Sequence, residues 1–179
     1  SLISAAYTEF IRGTPLMVQI FFIFYALPQM GIKIPNISGL GFDFPRFASG
    51  ILAMGLNSAA YVGEIVRAGI QAVDRGQTEA ARSLGMTGWQ TMRRVVLPQA
   101  FKNILPALGN ELIVLLKETS ISGYIGLMDL TRGGDIIRSQ TYSALFPLLV
   151  VAAIYLVIVC FLTYLVGRLE RRLRTNERK

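Results

Sequence analysis

The sequence predicts an all-α protein, a polytopic membrane helical bundle with about four transmembrane helices. Two observations carry this prediction. Hydrophobic residues make up 53% of the 179 and charged residues only 16%, where a soluble domain carries about a quarter. The charge is also segregated: long apolar runs alternate with short charged ones.

Composition removes several function classes. The formal charge is +7. In a soluble protein this would suggest nucleic acid, but here the basic residues flank apolar runs, as membrane-facing loops do. The chain has no histidine and one cysteine, Cys160, inside an apolar run. An internal disulfide is excluded, and metal ligation or histidine acid–base chemistry lacks residues. No catalytic or metal-ligating residue is expected, and no cofactor bound by this chain. A phosphate-loop motif is absent from the sequence.

The first predicted span lies in residues 1–28, whose uninterrupted apolar part, Leu16 to Leu27, is broken only by Gln19. Pro15 should kink this segment or start it afresh. Residues 29–45 are rich in glycine and proline and read as a loop or interfacial segment. The second span covers 46–70. Gly50, Ala53, Gly55, Ala59 and Gly63 recur at spacings that let helices approach closely in lipid. Asn57, Tyr61 and Glu64 follow at i, i+4 and i+7 and share one face. Polar groups at that depth usually turn to a bundle interior or cavity. Glu64 has a second reading, an ordinary structural ion pair with Arg67 at i+3.

Residues 71–98 form a polar, basic loop with two short helices. Asp74 with Gln77 and Thr87 with Gln90 have the spacing of capping boxes. The first helix should run to Leu84 and stop at Gly85, since the position after a helix end often takes a left-handed conformation. The second should run from Gly88 towards Val95, and Pro98 should open the next helix. The third span, 98–120, carries Glu111 and Glu118 seven apart on nearly one face. Glu111 stands roughly 14 Å above Lys102, close to mid-bilayer. A carboxylate there needs a partner, a cavity or a shifted protonation equilibrium. Residues 121–143 read as a short helix and loop. Residues 144–167 are the clearest span, and 168–179 form a basic tail.

Charge sets the expected topology. Arg67, Arg75, Arg82, Arg93, Arg94 and Lys102 lie in or beside the loop, and Arg168, Arg171, Arg172, Arg174, Arg178 and Lys179 lie in the tail. The positive-inside rule places both in the cytoplasm. Residue 1 then starts on the cytoplasmic side.

Glu79 to Pro98, EAARSLGMTGWQTMRRVVLP, closely resembles the signature loop of the membrane subunits of ATP-binding-cassette importers. The segments EFIRGTPLMVQIFFIFYALP, LNSAAYVGEIVRAGIQAV and LPALGNELIVLLKETS resemble, in the same order, blocks of the permeases for histidine, glutamine and arginine uptake. The resemblance covers nearly all of the chain. It implies the type I importer permease fold over a single transmembrane domain, 1–179, in a bacterial inner membrane. That family usually has five spans, and the first of them is missing from the four expected here. It implies a dimer with itself or a sister subunit and two cytoplasmic ATPase subunits that hold ATP and magnesium. An external solute-binding protein would deliver an amino acid. Glu79, Ala80, Ala81, Leu84, Gly85 and Trp89 would form the surface coupled to the ATPase. Asn57, Tyr61, Glu111 and Glu118 would line the substrate path. Two carboxylates on one face favour a basic amino acid, through charge-assisted hydrogen bonds, and Glu111 pairing within the bundle is the structural alternative. The competing function is a membrane scaffold or sensor that docks an ATPase without moving solute.

Overall fold

A computed structural model describes residues 2–37 and 41–175. Among them the chain is helical with no strand. Residues 38–40 of the expected loop, and Arg178 and Lys179 of the basic tail, lie outside the described residues. Backbone contacts group the chain into two compact units, residues 1–60 with 114–160, and 61–113 with 161–179.

In the first unit, α1 (Leu2–Gly13) and α2 (Leu16–Phe21) meet at Pro15. A residue before proline is pushed out of the helical region, and proline has no N–H to continue the ladder. Pro15 accordingly sits at φ −63°, ψ 138° as the N-cap of α2. The segment Leu2–Gly13 and the segment Leu16–Gln29 are bent by 102°. Residues 1–28 are therefore a broken pair rather than one straight span. After α2 a π-helical turn, Phe22–Ala26, leads into α3 (Leu27–Gln29).

The helix α4 (Phe44–Gln71) packs Gly50 and Ala53 inward in the first unit, with Leu127 Cδ1 3.3 Å from where a Gly50 side chain would begin. The core there joins Leu16, Ile20, Ala53 and Ile125. Tyr7 Oη donates to the Leu56 carbonyl at 2.6 Å and ties α1 to α4. A 3-10 turn (Thr119–Ile125) ends at left-handed Gly126, and α8 (Leu130–Thr141) follows with Asp129 as its cap. This matches the short helix expected in 121–143.

The second unit contains α5 (Arg75–Ser83), α6 (Gly88–Thr91) and, after a π-helical turn at Met92–Val96, α7 (Leu97–Glu118). The sequence suggested a break before Pro98, yet the helix runs through it. Widening the turn ahead of a proline loosens the crowding between its ring and the preceding turn. The other π turn also ends directly before a Leu-Pro pair, Leu27-Pro28.

The helix α9 (Leu145–Thr175) is the clearest span. Within Leu145–Leu173 its most apolar 18-residue window has mean hydropathy 3.0, and only 6% of that window is buried. A helix apolar on all sides and uncovered by its own chain belongs in lipid or against a partner. Helices α4 and α7 have 28 and 22 residues, ample for a bilayer. They do not reach the apolarity of α9, because Asn57, Glu64 and Arg67 interrupt one and Lys102, Asn110 and Glu111 the other.

Candidate functional site

The loop of residues 71–98 is held by local bonds that the sequence specifies. The Gly76 N–H donates to Asp74 Oδ1 at 2.6 Å, capping α5. The expected reciprocal bond from Gln77 is replaced: Gln77 Oε1 accepts from Gln99 Nε2 at 3.3 Å, fastening α5 to the start of α7. At the other end, Gly85 takes φ +81°. The Met86 N–H donates to the Ala81 carbonyl at 3.2 Å and the Gly85 N–H to the Arg82 carbonyl at 3.0 Å. These two bonds are a Schellman motif, which closes the orphan carbonyls of a helix end. The second helix opens with the full capping box. The Gln90 N–H donates to Thr87 Oγ1 at 3.3 Å, and the Thr87 N–H donates to Gln90 Oε1 at 2.9 Å.

These caps orient the loop's apolar side chains. Leu84 is 84% exposed and Trp89 is 70% exposed, both beside fixed helix ends. Glu79 and Ala80 are also exposed, whereas Ala81 faces its own chain and is buried. Of the two alanines, only Ala80 offers its surface to another molecule. Exposed large apolar groups, when they form a contiguous patch, mark a protein or membrane interaction surface.

The predicted substrate-path residues fall in both units. Asn57 lies in the first unit and is 4% exposed. Its Nδ2 donates to Gln19 Oε1 at 3.2 Å. Gln19 Nε2 in turn reaches the Ile11 carbonyl at 2.7 Å, the Thr14 carbonyl at 3.1 Å and Thr14 Oγ1 at 2.9 Å. The end of α1 leaves carbonyls without helical partners, and Pro15 brings no N–H, so a side chain from α2 satisfies them. Glu118, half-buried, belongs to the same unit. Tyr61 and Glu111 lie in the second unit, both half-buried, and neither is without a partner. Glu64 and Arg67 approach to 3.8 Å, the ion pair that the i, i+3 spacing allows.

Sequence reasoning passed over Gln19, treating it as an interruption of an apolar run. An amide four residues past a proline, at membrane depth, is costly unless bonded, and that cost was the available signal. Among the described residues no cluster of metal-ligating side chains forms.

The helical architecture, the apolar α9 and the capped polar loop fit a membrane permease. The family model described as "Binding-protein-dependent transport system inner membrane component" matches residues 1–175, and the chain belongs to that family, with its all-α type I importer fold. The arginine transport system permease protein ArtQ of Bacillus subtilis is 45% identical over 171 residues, covering 96% of this chain and 74% of that one. The glutamine transport system permease protein GlnP of Escherichia coli is 37% identical over 172 residues, covering 96% and 75%. A crystal structure of an amino acid ABC transporter with histidines superposes with TM-score 0.86 at 53% identity, covering 96% of this chain and 75% of that one.

Proposed function

We propose that this chain is a permease subunit of an ATP-driven importer for a polar amino acid, a basic one being favoured, and that it receives force from a cytoplasmic ATPase through residues 71–98. The observation that carries the coupling role is the outward display of Leu84 and Trp89 on a doubly capped helix pair. Glu79 and Ala80 extend that surface, while buried Ala81 and the left-handed turn at Gly85 hold its shape. Two ATPase subunits, a second permease copy or sister subunit, and an external solute-binding protein complete the assembly. The ATPase carries ATP, magnesium and the hydrolysis. The loop and the C-terminal tail face the cytoplasm, since the positive charge gathers there.

Asn57 and Tyr61 share a face of α4, and Glu111 and Glu118 share a face of α7. Each carboxylate by itself supplies a charge-assisted acceptor for an ammonium or guanidinium group. A carboxylate favours a substrate that is cationic at its side chain over a neutral one; the name of the arginine permease among the relatives agrees with that reading, and those of the glutamine permeases point to a neutral side chain.

The test is uptake into proteoliposomes holding this chain, its ATPase and its binding protein, comparing labelled arginine with labelled glutamine. ATP-dependent arginine accumulation that Glu111→Gln lowers by tenfold or more, about the worth of one charge-assisted bond, supports the assignment. Unchanged uptake and preference in Glu111→Gln would remove Glu111 from the path. ATPase binding without any solute uptake would favour the scaffold role.

A further inference from the structure

We propose that the inner side of the coupling loop holds a binding site for a phosphate-bearing anion. A cavity of about 820 Å³ elsewhere in the chain has each of its arginines paired with a carboxylate, Arg138 and Arg132 sharing Asp135 and Arg46 meeting Asp43. The second unit holds a different one. A cavity of about 620 Å³ lies between the end of α4, α5 and α6, lined by Gln71, Arg75, Thr78, Arg82, Thr91 and Val96 among others.

Three features of its wall point to an anion. Arg75, Thr78 and Arg82 stand at i, i+3 and i+7, one face of α5, and the two guanidinium-bearing residues are about 10.5 Å apart along the axis. Among the described residues no carboxylate pairs with Arg75 or Arg82, and the one bond Arg82 makes is from Nη1 to the Met86 carbonyl at 3.3 Å. Four of the five guanidinium N–H groups of Arg82 therefore remain available. Thr91 is 2% exposed, lines the cavity, and its Oγ1 is buried with no hydrogen-bond partner. A buried hydroxyl without a partner is costly, and a ligand oxygen at this wall would satisfy it.

A phosphate suits this donor set better than a carboxylate. It presents three or more oxygens, enough to engage two guanidinium groups and a hydroxyl at once, and guanidinium binds phosphate in paired bonds. The cavity is larger than inorganic phosphate needs and would admit a lipid headgroup. Basic pockets at the cytoplasmic ends of membrane helices take anionic headgroups. The lipid source rests on the cytoplasmic orientation proposed above, whereas binding of free phosphate does not.

Trp89 is the chain's one tryptophan, 70% exposed and two residues from Thr91, so its fluorescence reports on the site. The full-length chain is placed in nanodiscs of phosphatidylcholine and titrated with inorganic phosphate. A second set contains about one third phosphatidylglycerol, by the headgroup logic above. A saturable emission change with phosphate supports an anion site. If phosphatidylglycerol discs show the same change beforehand and blunt the phosphate titration, the lipid headgroup is the occupant. If they do not, the occupant is a free phosphate. Arg75→Gln with Arg82→Gln should raise the half-saturating phosphate by about tenfold or more, from the loss of charge-assisted bonds. Thr91→Val, which keeps the side-chain shape, should raise it several-fold while leaving the circular dichroism spectrum intact. The proposal is overturned if neither probe moves the emission. An equal loss in Arg93→Gln with Arg94→Gln, which lie outside the cavity wall, also overturns it in favour of a diffuse basic field. Loss of ATPase co-purification in the Arg75/Arg82 variant, with no phosphate response in the parent, would assign the arginines to partner carboxylates.

Discussion

Asn57 on α4 donates to Gln19 on α2 at 3.2 Å, and both side chains are buried in the first unit. Through Gln19 this bond reaches the Ile11 and Thr14 carbonyls, so a residue of α4 secures the corner between α1 and α2. The polarity of both residues is thereby accounted for: one amide closes the carbonyls stranded at Pro15, and the other closes that amide.

Removing either amide should destabilise the corner. Gln19→Leu strands carbonyls of α1, and Asn57→Leu strands the Gln19 oxygen, each at about 1–3 kcal/mol. Because the two act in one network, the double variant should lose less than the sum of the singles. Thermal unfolding of the detergent-solubilised chain measures this. A purely additive double, or an Asn57→Leu variant with unchanged melting temperature and a raised KM for uptake, would instead give Asn57 a direct role towards substrate.

Gly85 is fixed by its backbone angle, not by space. It stands at φ +81°, and nothing lies within 4 Å of an added Cβ. Gly85→Ala should therefore cost about 1–2 kcal/mol, the left-handed penalty of an ordinary residue, and loosen the end of α5. Gly85→Asn should cost clearly less, since asparagine tolerates this region. The expected readout is reduced ATP-coupled uptake in the order Gly, Asn, Ala, with binding-protein affinity unchanged. Equal loss in Ala and Asn variants would mean that steric contact, not conformation, governs the position.

Leu84 and Trp89 should behave as contact residues. They make little of the chain's own packing, so Leu84→Asp and Trp89→Ala should shift stability by no more than about 0.5 kcal/mol. Co-purification of the ATPase should fall sharply in either variant, since truncating a large anchor in an interface commonly costs 2 kcal/mol or more, about thirtyfold in affinity. Retained co-purification at parental levels would move the docking surface elsewhere on the chain.

The sequence made the loop legible because its signals are local. Asp74, Thr87, Gln90 and Gly85 each act within a few residues, and all four appear as caps or stops. The long span at 144–167 was equally plain, since no charged residue interrupts it. What sequence reading misjudged depends on groups far apart in the chain. Gln77 joins Gln99 rather than closing a box with Asp74, and the role of Gln19 depends on Asn57, 38 residues away. The run through Pro98 was hidden for another reason. A π turn carries no clear side-chain signature, and Pro106 sits within α7 without one.

The small residues of α4 divide into two kinds, and one helix can test both. Gly63 has nothing within 4 Å of an added Cβ. Its substitution by alanine should stabilise the isolated chain by about 0.5–1 kcal/mol, the helix propensity difference. Gly69 is different. It is buried, and an added Cβ would collide with Ile104 Cγ1 and come within 3.5 Å of the Ala100 carbonyl. Gly69→Ala should therefore destabilise by about 1–3 kcal/mol through overpacking, despite the same gain in propensity. Ile104→Ala removes Cγ1 and Cδ1 from that contact and should recover part of the loss when combined with Gly69→Ala, while costing about 2–5 kcal/mol alone. A double-variant cycle on thermal unfolding checks the coupling. If Gly69→Ala proves as harmless as Gly63→Ala, α4 and α7 do not approach closely there, and the second unit is packed by other contacts.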